Sequence, residues 1–162
     1  MDGTRQGKLL LVEDEHLLRR LVAEFLRGEA FDVIEAADGL EGASLFQSHG
    51  PFDLVLLDLN LPELSGLEVC SRIKKTQPQQ PVLICSAAIV EDHVATLRAL
   101  DVDQFLTKPY HPLELLERIT RMLPRDRRAW PADRTPATPG SPWRVAGPSP
   151  GLHARQGSVL LT

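Results

Sequence analysis

The sequence predicts an open α/β domain in which five parallel strands alternate with five helices, and three observations carry that expectation. Short strand-like runs recur at residues 8–12, 33–36, 54–57, 82–85 and 104–107, and the four consecutive aliphatics at 54–57 are too few to cross a bilayer and too uniformly apolar for a strand with a wet face. After each run, apolar residues return at helical spacing. A polar or acidic residue stands just past most of the runs, at the strand end where open α/β sheets hold their ligand sites. Such alternation implies a parallel sheet covered on both faces by right-handed crossovers.

The first strand, KLLLV, breaks into Glu13-Asp14-Glu15. Leu17, Leu18, Leu21, Val22, Phe25 and Leu26 then share one helical face, with Arg19, Arg20, Glu24 and Arg27 on the other, and the helix ends near Gly28. A second strand at 33–36 leads through Asp38-Gly39 into a short helix marked by Leu40, Ala43, Leu45 and Phe46. The third strand, four aliphatics at 54–57, ends in Asp58. Leu61-Pro62 stops regular structure, and Ser65-Gly66 caps a helix carrying Leu67, Val69, Cys70 and Ile73. The fourth strand ends at Ser86-Ala87-Ala88, and Val94, Leu97 and Leu100 mark the helix after it. The fifth runs into Lys108-Pro109, and Pro112 suits the first turn of a last helix with Leu113, Leu116, Ile119 and Leu123 inward.

At 162 residues, 43% hydrophobic and 25% charged, the chain has room for one globular domain and an appendage. Residues 1–123 hold 12 Lys and Arg against 20 Asp and Glu, net −8, which disfavours direct nucleic-acid binding by this part. No apolar run approaches the ~20 residues of a membrane span. Residues 1–8 are polar and lack a signal-peptide core, so a cytoplasmic location without membrane contact is expected. Cys70 and Cys85 each fall inside an apolar element and are expected as free buried thiols. Residues 124–162 contain seven prolines, four glycines and six arginines and are expected as a disordered tail, with 1–7 a flexible N-terminus and 8–123 the domain. The five histidines show neither metal-ligand spacing nor a paired nucleophile.

The strand ends bring chemistry to one edge: Glu13 and Asp14 after the first strand, Asp58 after the third, Ser86 after the fourth and Lys108 after the fifth. Carboxylates gathered there repel one another by up to ~4 kcal/mol per pair at a separation of ~4 Å and an effective dielectric of about 20. A hard divalent cation such as Mg²⁺ offsets that repulsion, using one or two carboxylates and a backbone carbonyl. With a lysine ammonium and a serine hydroxyl opposite, such a site suits a transferring phosphoryl group, with a carboxylate as nucleophile.

This set resembles the receiver domain of two-component response regulators, over roughly residues 8–123. The resemblance implies a flavodoxin-like (βα)5 domain, doubly wound, with strand order 2-1-3-4-5. It implies Asp58 as phosphoacceptor, taking a phosphoryl group from a histidine kinase or phosphotransfer protein. Asp14 and Asp58 would ligate Mg²⁺ directly, Glu13 through a water, and Asn60 through its backbone carbonyl. Ser86 corresponds to the hydroxyl that turns toward the phosphate, Lys108 to the phosphate-binding lysine, and Phe105 to the aromatic switch, here without the hydroxyl of the common Tyr. Lys108-Pro109 would be a cis peptide. Asp101 stands where the family often has Gly.

A phosphatase of the haloacid dehalogenase type uses related groups, but there the nucleophile follows the first strand and the acidic pair comes late. Here the pair opens the domain and Asn60, not a second Asp, follows Asp58 by two. No glycine-rich nucleotide loop follows any strand. The 39 residues after the domain offer no recognition helix. The expectation is therefore a stand-alone receiver that signals through protein contacts at its fourth helix, fifth strand and fifth helix, or alternatively a receiver cut from a larger regulator. It is expected to be a phosphorylated signalling module rather than an enzyme, limited to self-catalysed phosphoryl transfer and slow autodephosphorylation.

Overall fold

The computed structural model describes residues 5–123. The expected tail at 124–162 and the first four residues lie outside them. Elements follow one another as β1 (Gly7–Val12), α1 (His16–Gly28), β2 (Phe31–Ala36), α2 (Gly39–His49), β3 (Leu54–Leu57), α3 (Gly66–Thr76), β4 (Val82–Ser86), α4 (Glu91–Ala99), β5 (Phe105–Thr107) and α5 (Pro112–Met122). All five strands are parallel and ordered β2-β1-β3-β4-β5, the order the resemblance implies. β1 begins one residue earlier than the apolar run does, and Gln6 N–H already donates to the Ala30 carbonyl at 2.8 Å.

Successive strand residues point to opposite faces, so each aliphatic run feeds two cores at once. Leu10, Val12, Val55, Leu57, Val82 and Ile84 meet Ala43 and Phe46 of α2, Val69, Cys70 and Ile73 of α3, and Leu97 of α4. Leu9, Leu11, Leu54, Leu56, Leu83, Cys85 and Leu106 meet Val22, Ala23 and Leu26 of α1 and Leu115 and Ile119 of α5. Burying a side chain of this size contributes ~1.5–3 kcal/mol, and both faces of the three central strands collect it.

Two helices sit rotated from the faces the sequence suggests. Leu17 and Leu21 are 68% and 65% exposed, while Leu18, Val22, Ala23 and Leu26 line the inner row of α1. On α5, Leu113 is 61% exposed and Leu115 takes the core position. In both helices the apolar stripe is wider than the buried one, and packing against the sheet selects which part of it goes inside.

Candidate functional site

β1 and β3 are neighbours, and the Asp58 N–H donates to the Val12 carbonyl at 3.1 Å, so the residues just past the two strands lie side by side. Glu13 is fixed from β2 as well, its N–H donating to the Ala36 carbonyl at 3.1 Å. Glu13 and Asp58 are both buried, at 4% and 5% exposure, whereas Asp14 faces solvent. One ligand oxygen from each of Glu13, Asp14 and Asp58 lies within 4.8 Å of the others.

Local turn chemistry holds Asp58 in place. The Asn60 N–H donates to Asp58 Oδ1 at 3.0 Å, an Asx turn that uses the backbone two residues on. The loop returns at Gly66, whose N–H donates to the Leu59 carbonyl at 3.0 Å. Gly66 lies so close that a Cβ there would overlap the Asp58 carbonyl oxygen. Gly39 makes the same kind of approach to the Leu64 carbonyl, pinning the other side of the loop. The sequence marks both glycines as helix starts; their close approach depends on the tertiary fold.

Lys108 arrives from the far edge of the sheet. Its N–H donates to the Ser86 carbonyl at 3.1 Å, the Lys108-Pro109 peptide is cis as the resemblance implies, and Gly50-Pro51 is cis too. The ammonium donates to Glu13 Oε2 and to Asp58 Oδ2, each at 2.5 Å. Burial alone would lower the lysine pKa, but the hydrogen bonds to Asp58 and Glu13 outweigh it and hold Lys108 above its ordinary value, fully charged at neutral pH. Glu13 goes the other way for an acid: burial raises its pKa, and the bonds from Lys108 and from the Glu15 N–H only partly offset that.

Three carboxylates against one ammonium leave two negative charges uncompensated when all are ionised. The donor atoms are all oxygen, the set a hard divalent cation takes, and the open side of the cluster is the one where Asp14 meets solvent. Ser86, at the end of β4, is fully buried, and its Oγ has no hydrogen-bond partner among the described residues. A buried hydroxyl without a partner is costly unless a ligand oxygen completes it. Phe105 opens β5, pairs in register with Ile84, and is half-buried against the core under α4. The structure thus brings Glu13, Asp14, Asp58, Asn60 and Lys108 together, with Ser86 on the adjoining strand end and Phe105 at the sheet's edge.

Burial also pushes the Cys85 thiol, one residue before Ser86, up to about 12, and raises Tyr110 behind Lys108. Neither cysteine is bridged, and both are buried. Sequence reasoning missed Arg19 of α1, which it assigned to the solvent face. Its guanidinium turns back to donate to the Glu13 carbonyl at 2.8 Å and the Asp14 carbonyl at 3.4 Å. The only sequence signal for this is its position a helical turn past the acidic residues.

Residues 9–120 match the family described as response regulator receiver domain. The cell cycle response regulator CtrA of Brucella ovis is 36% identical over 121 residues, which are 74% of this chain and 51% of that protein. The chain spans about half the length of the curated relatives it matches. Among solved structures, the chemotaxis protein CheY4 of Vibrio cholerae is 28% identical with a TM-score of 0.66, over 72% of this chain and 98% of that one. A CheY-like receiver domain protein from Methanospirillum hungatei shares the fold at a TM-score of 0.67 and 24% identity, over 70% of this chain and 90% of that one.

Proposed function

This chain belongs to the response regulator receiver domain family of two-component systems, and from that premise we propose that Asp58 accepts a phosphoryl group from a phosphohistidine donor, with Mg²⁺ bound, and signals through protein contacts. The observation that carries this reading is Lys108 shared between the buried carboxylates of Glu13 and Asp58, with Asp14 completing an all-oxygen cluster. Asp14 and Asp58 would hold the cation by their side chains, Asn60 by its carbonyl and Glu13 through water. When bound, the cation neutralises charge on the transferring oxygens.

An Asp58 oxygen attacks phosphorus in line with the leaving nitrogen; the P–N bond breaks, a P–O bond forms, and the imidazole leaves neutral, keeping the proton already on its other ring nitrogen. Lys108, already aimed at Asp58, donates to one phosphoryl oxygen, and the unpartnered Ser86 hydroxyl is the donor for another. Drawing Ser86 toward the phosphoryl group opens room at the end of β4 beside β5. Phe105 then favours a more buried rotamer, and the face made by α4, β5 and α5 shifts with it. Val90 and Leu113, 50% and 61% exposed, offer apolar area on that face to an output protein. Inverting a 1:99 population needs ~5.5 kcal/mol of differential stabilisation, so a partial shift is the natural outcome of two or three new hydrogen bonds. Slow hydrolysis of the acyl phosphate resets the domain. No helix of the described residues is long and apolar enough to cross a membrane, and a cytoplasmic setting beside a histidine kinase belongs to the same reading.

Incubation with Mg²⁺ and a small-molecule phosphodonor, read by intact mass, tests the acceptor. The wild type is expected to gain about 80 Da, the mass of one phosphoryl group on a carboxylate nucleophile, and Asp58→Asn to gain nothing. No adduct on the wild type, or an undiminished one on Asp58→Asn, would sink the assignment.

A further inference from the structure

Arg19 belongs to the polar face of α1, yet its side chain is only 13% exposed. Nη1 donates to the Glu13 carbonyl at 2.8 Å and the Asp14 carbonyl at 3.4 Å, and Nε lies 3.6 Å from Glu35 Oε2. Glu35, on β2, pairs through Oε1 with Arg27 Nη2 at 2.9 Å, and Arg27 also donates to the Val33 carbonyl at 2.8 Å. A continuous chain of polar contacts therefore runs from the acidic loop through Arg19 and Glu35 to Arg27, joining the β1–α1 loop, α1 and β2.

The consequence for the loop is geometric. Glu13 is held at its N–H by the Ala36 carbonyl and at its own carbonyl by Arg19, so the peptide planes on both sides of it are fixed. The direction of those planes decides where the Glu13 and Asp14 side chains point. Electrostatics alone argues against an arginine here, because a guanidinium beside a cation site repels the cation. Two neighbouring carbonyls and a carboxylate, reached together by one planar fork, are an arrangement lysine does not reproduce.

We propose that Arg19 is a positioning residue that orients the Glu13-Asp14 peptides toward Asp58 and so sets the affinity of the site for divalent cations, with Glu35 holding Arg19. This rests on the reading that the carboxylate cluster binds Mg²⁺, and it concerns the unphosphorylated protein.

Calorimetric titration of the full chain with Mg²⁺, without phosphodonor, tests it. Arg19→Ala is expected to bind Mg²⁺ about 10-fold more weakly, the lower end of losses seen when a group orienting a metal ligand is removed. Arg19→Lys, which keeps the charge and loses the fork, is expected to fall between the two, and Glu35→Gln to show a smaller loss of the same sign. Charge repulsion alone would tighten binding in Arg19→Ala and leave Arg19→Lys like the wild type; either result overturns the proposal. A lowered melting temperature with unchanged Mg²⁺ affinity overturns it too, since it marks a purely structural arginine. If Arg19→Ala does not fold, Arg19→Lys decides by the same comparison. A wild type that does not bind Mg²⁺ overturns the metal reading and the positioning role with it, whereas wild-type binding that is unchanged in the variants overturns the positioning role alone.

Discussion

Helices α3 and α4 pack side by side on one face of the sheet and are held in opposite ways. α3 starts from a complete capping box: the Glu68 N–H donates to Ser65 Oγ at 3.3 Å and the Ser65 N–H to Glu68 Oε2 at 3.2 Å. It buries Gly66, Val69, Cys70 and Ile73 and closes on the Asp58 backbone through Gly66. α4 starts from Val90 with no side-chain cap and buries Leu97 alone. The helix that follows the Asp58 loop is therefore fixed, while the helix beside Ser86 and Phe105 is held by little and is inexpensive to displace. A firmly held helix and a loosely held one are thus set side by side by capping and burial, not by a difference in fold.

The sharpest way to break this contrast is at Gly66. A Cβ there overlaps the Asp58 carbonyl oxygen, a backbone atom that cannot swing aside. Gly66→Ala is expected to cost more than ~3 kcal/mol, above the usual range for overpacking, and to lower Mg²⁺-dependent phosphoryl acceptance in whatever fraction still folds. Urea denaturation measures the first and intact mass the second. A variant with wild-type stability would show that the Asp58 loop is not clamped by α3.

How tightly α3 is sealed can also be read from alkali. Burial pushes Cys70 of α3 up to about 11 and Cys85 of β4 up to about 12, from an ordinary value of 9.0. Above pH 9 the unfolded chain releases these protons while the folded one keeps them. Stability is therefore intact below pH 9 and falls as pH rises toward the folded values, by ~1.4 kcal/mol per pH unit per thiol, or roughly 3 kcal/mol for the pair between pH 8 and 10. Cys70→Ala is expected to flatten the slope by one thiol's share. Equal slopes in the two proteins would mean that α3 opens enough to let Cys70 ionise in the folded state.

Much of this architecture is legible in the sequence because parallel strands buried on both faces must be aliphatic throughout, so 54–57 or 82–85 cannot pass for anything half-wet. Chain order then places Glu13, Asp58 and Lys108 at one sheet edge although Glu13 and Lys108 are 95 residues apart. Rotation of the helices is not legible: nothing local distinguishes Leu17 from Leu18, or Leu113 from Leu115, until the sheet chooses one row. Arg19 is hidden for a related reason. Its partner Glu35 lies on β2, a separate element, and a long stem lets a charged residue be covered while its head finds main-chain acceptors. The close approach of Gly66 to Asp58 is likewise a distance between elements, which spacing along the chain does not encode.

Exchanging the caps sharpens the comparison at lower cost. Ser65→Ala removes the α3 cap and is expected to destabilise by ~1 kcal/mol, while Val90→Ser gives α4 the cap it lacks and is expected to gain ~0.5 kcal/mol. Hydrogen exchange separates these effects by helix. α4 amides of the wild type should exchange faster than those of α3, and Val90→Ser should slow α4 without touching α3. Equal protection of the two helices in the wild type would remove the basis for treating α4 as the movable one.

The smallest effect is expected at the other end of α4. The Val102 N–H donates to the Leu97 carbonyl and the Asp101 N–H to the Arg98 carbonyl, both at 2.9 Å, a Schellman ending with Asp101 in the left-handed region at φ 61°. This is where the family often has glycine, and the backbone gives the reason, since an L side chain is strained there and Asp is tolerated better than most. Asp101→Gly relieves that strain but removes a carboxylate that favours the charged form of Lys74 on α3. The two effects oppose each other, and the net gain should be only ~0.3 kcal/mol, within the usual scatter for surface substitutions. Asp101→Asn separates them, because it keeps a side chain suited to the turn and drops only the charge. If Asp101→Asn loses stability and Asp101→Gly regains it, strain at the end of α4 is real and the charge across to α3 offsets part of it. If both variants match the wild type, the helix is held at this end by its backbone hydrogen bonds alone, which leaves the uncapped Val90 end as the place where α4 yields first.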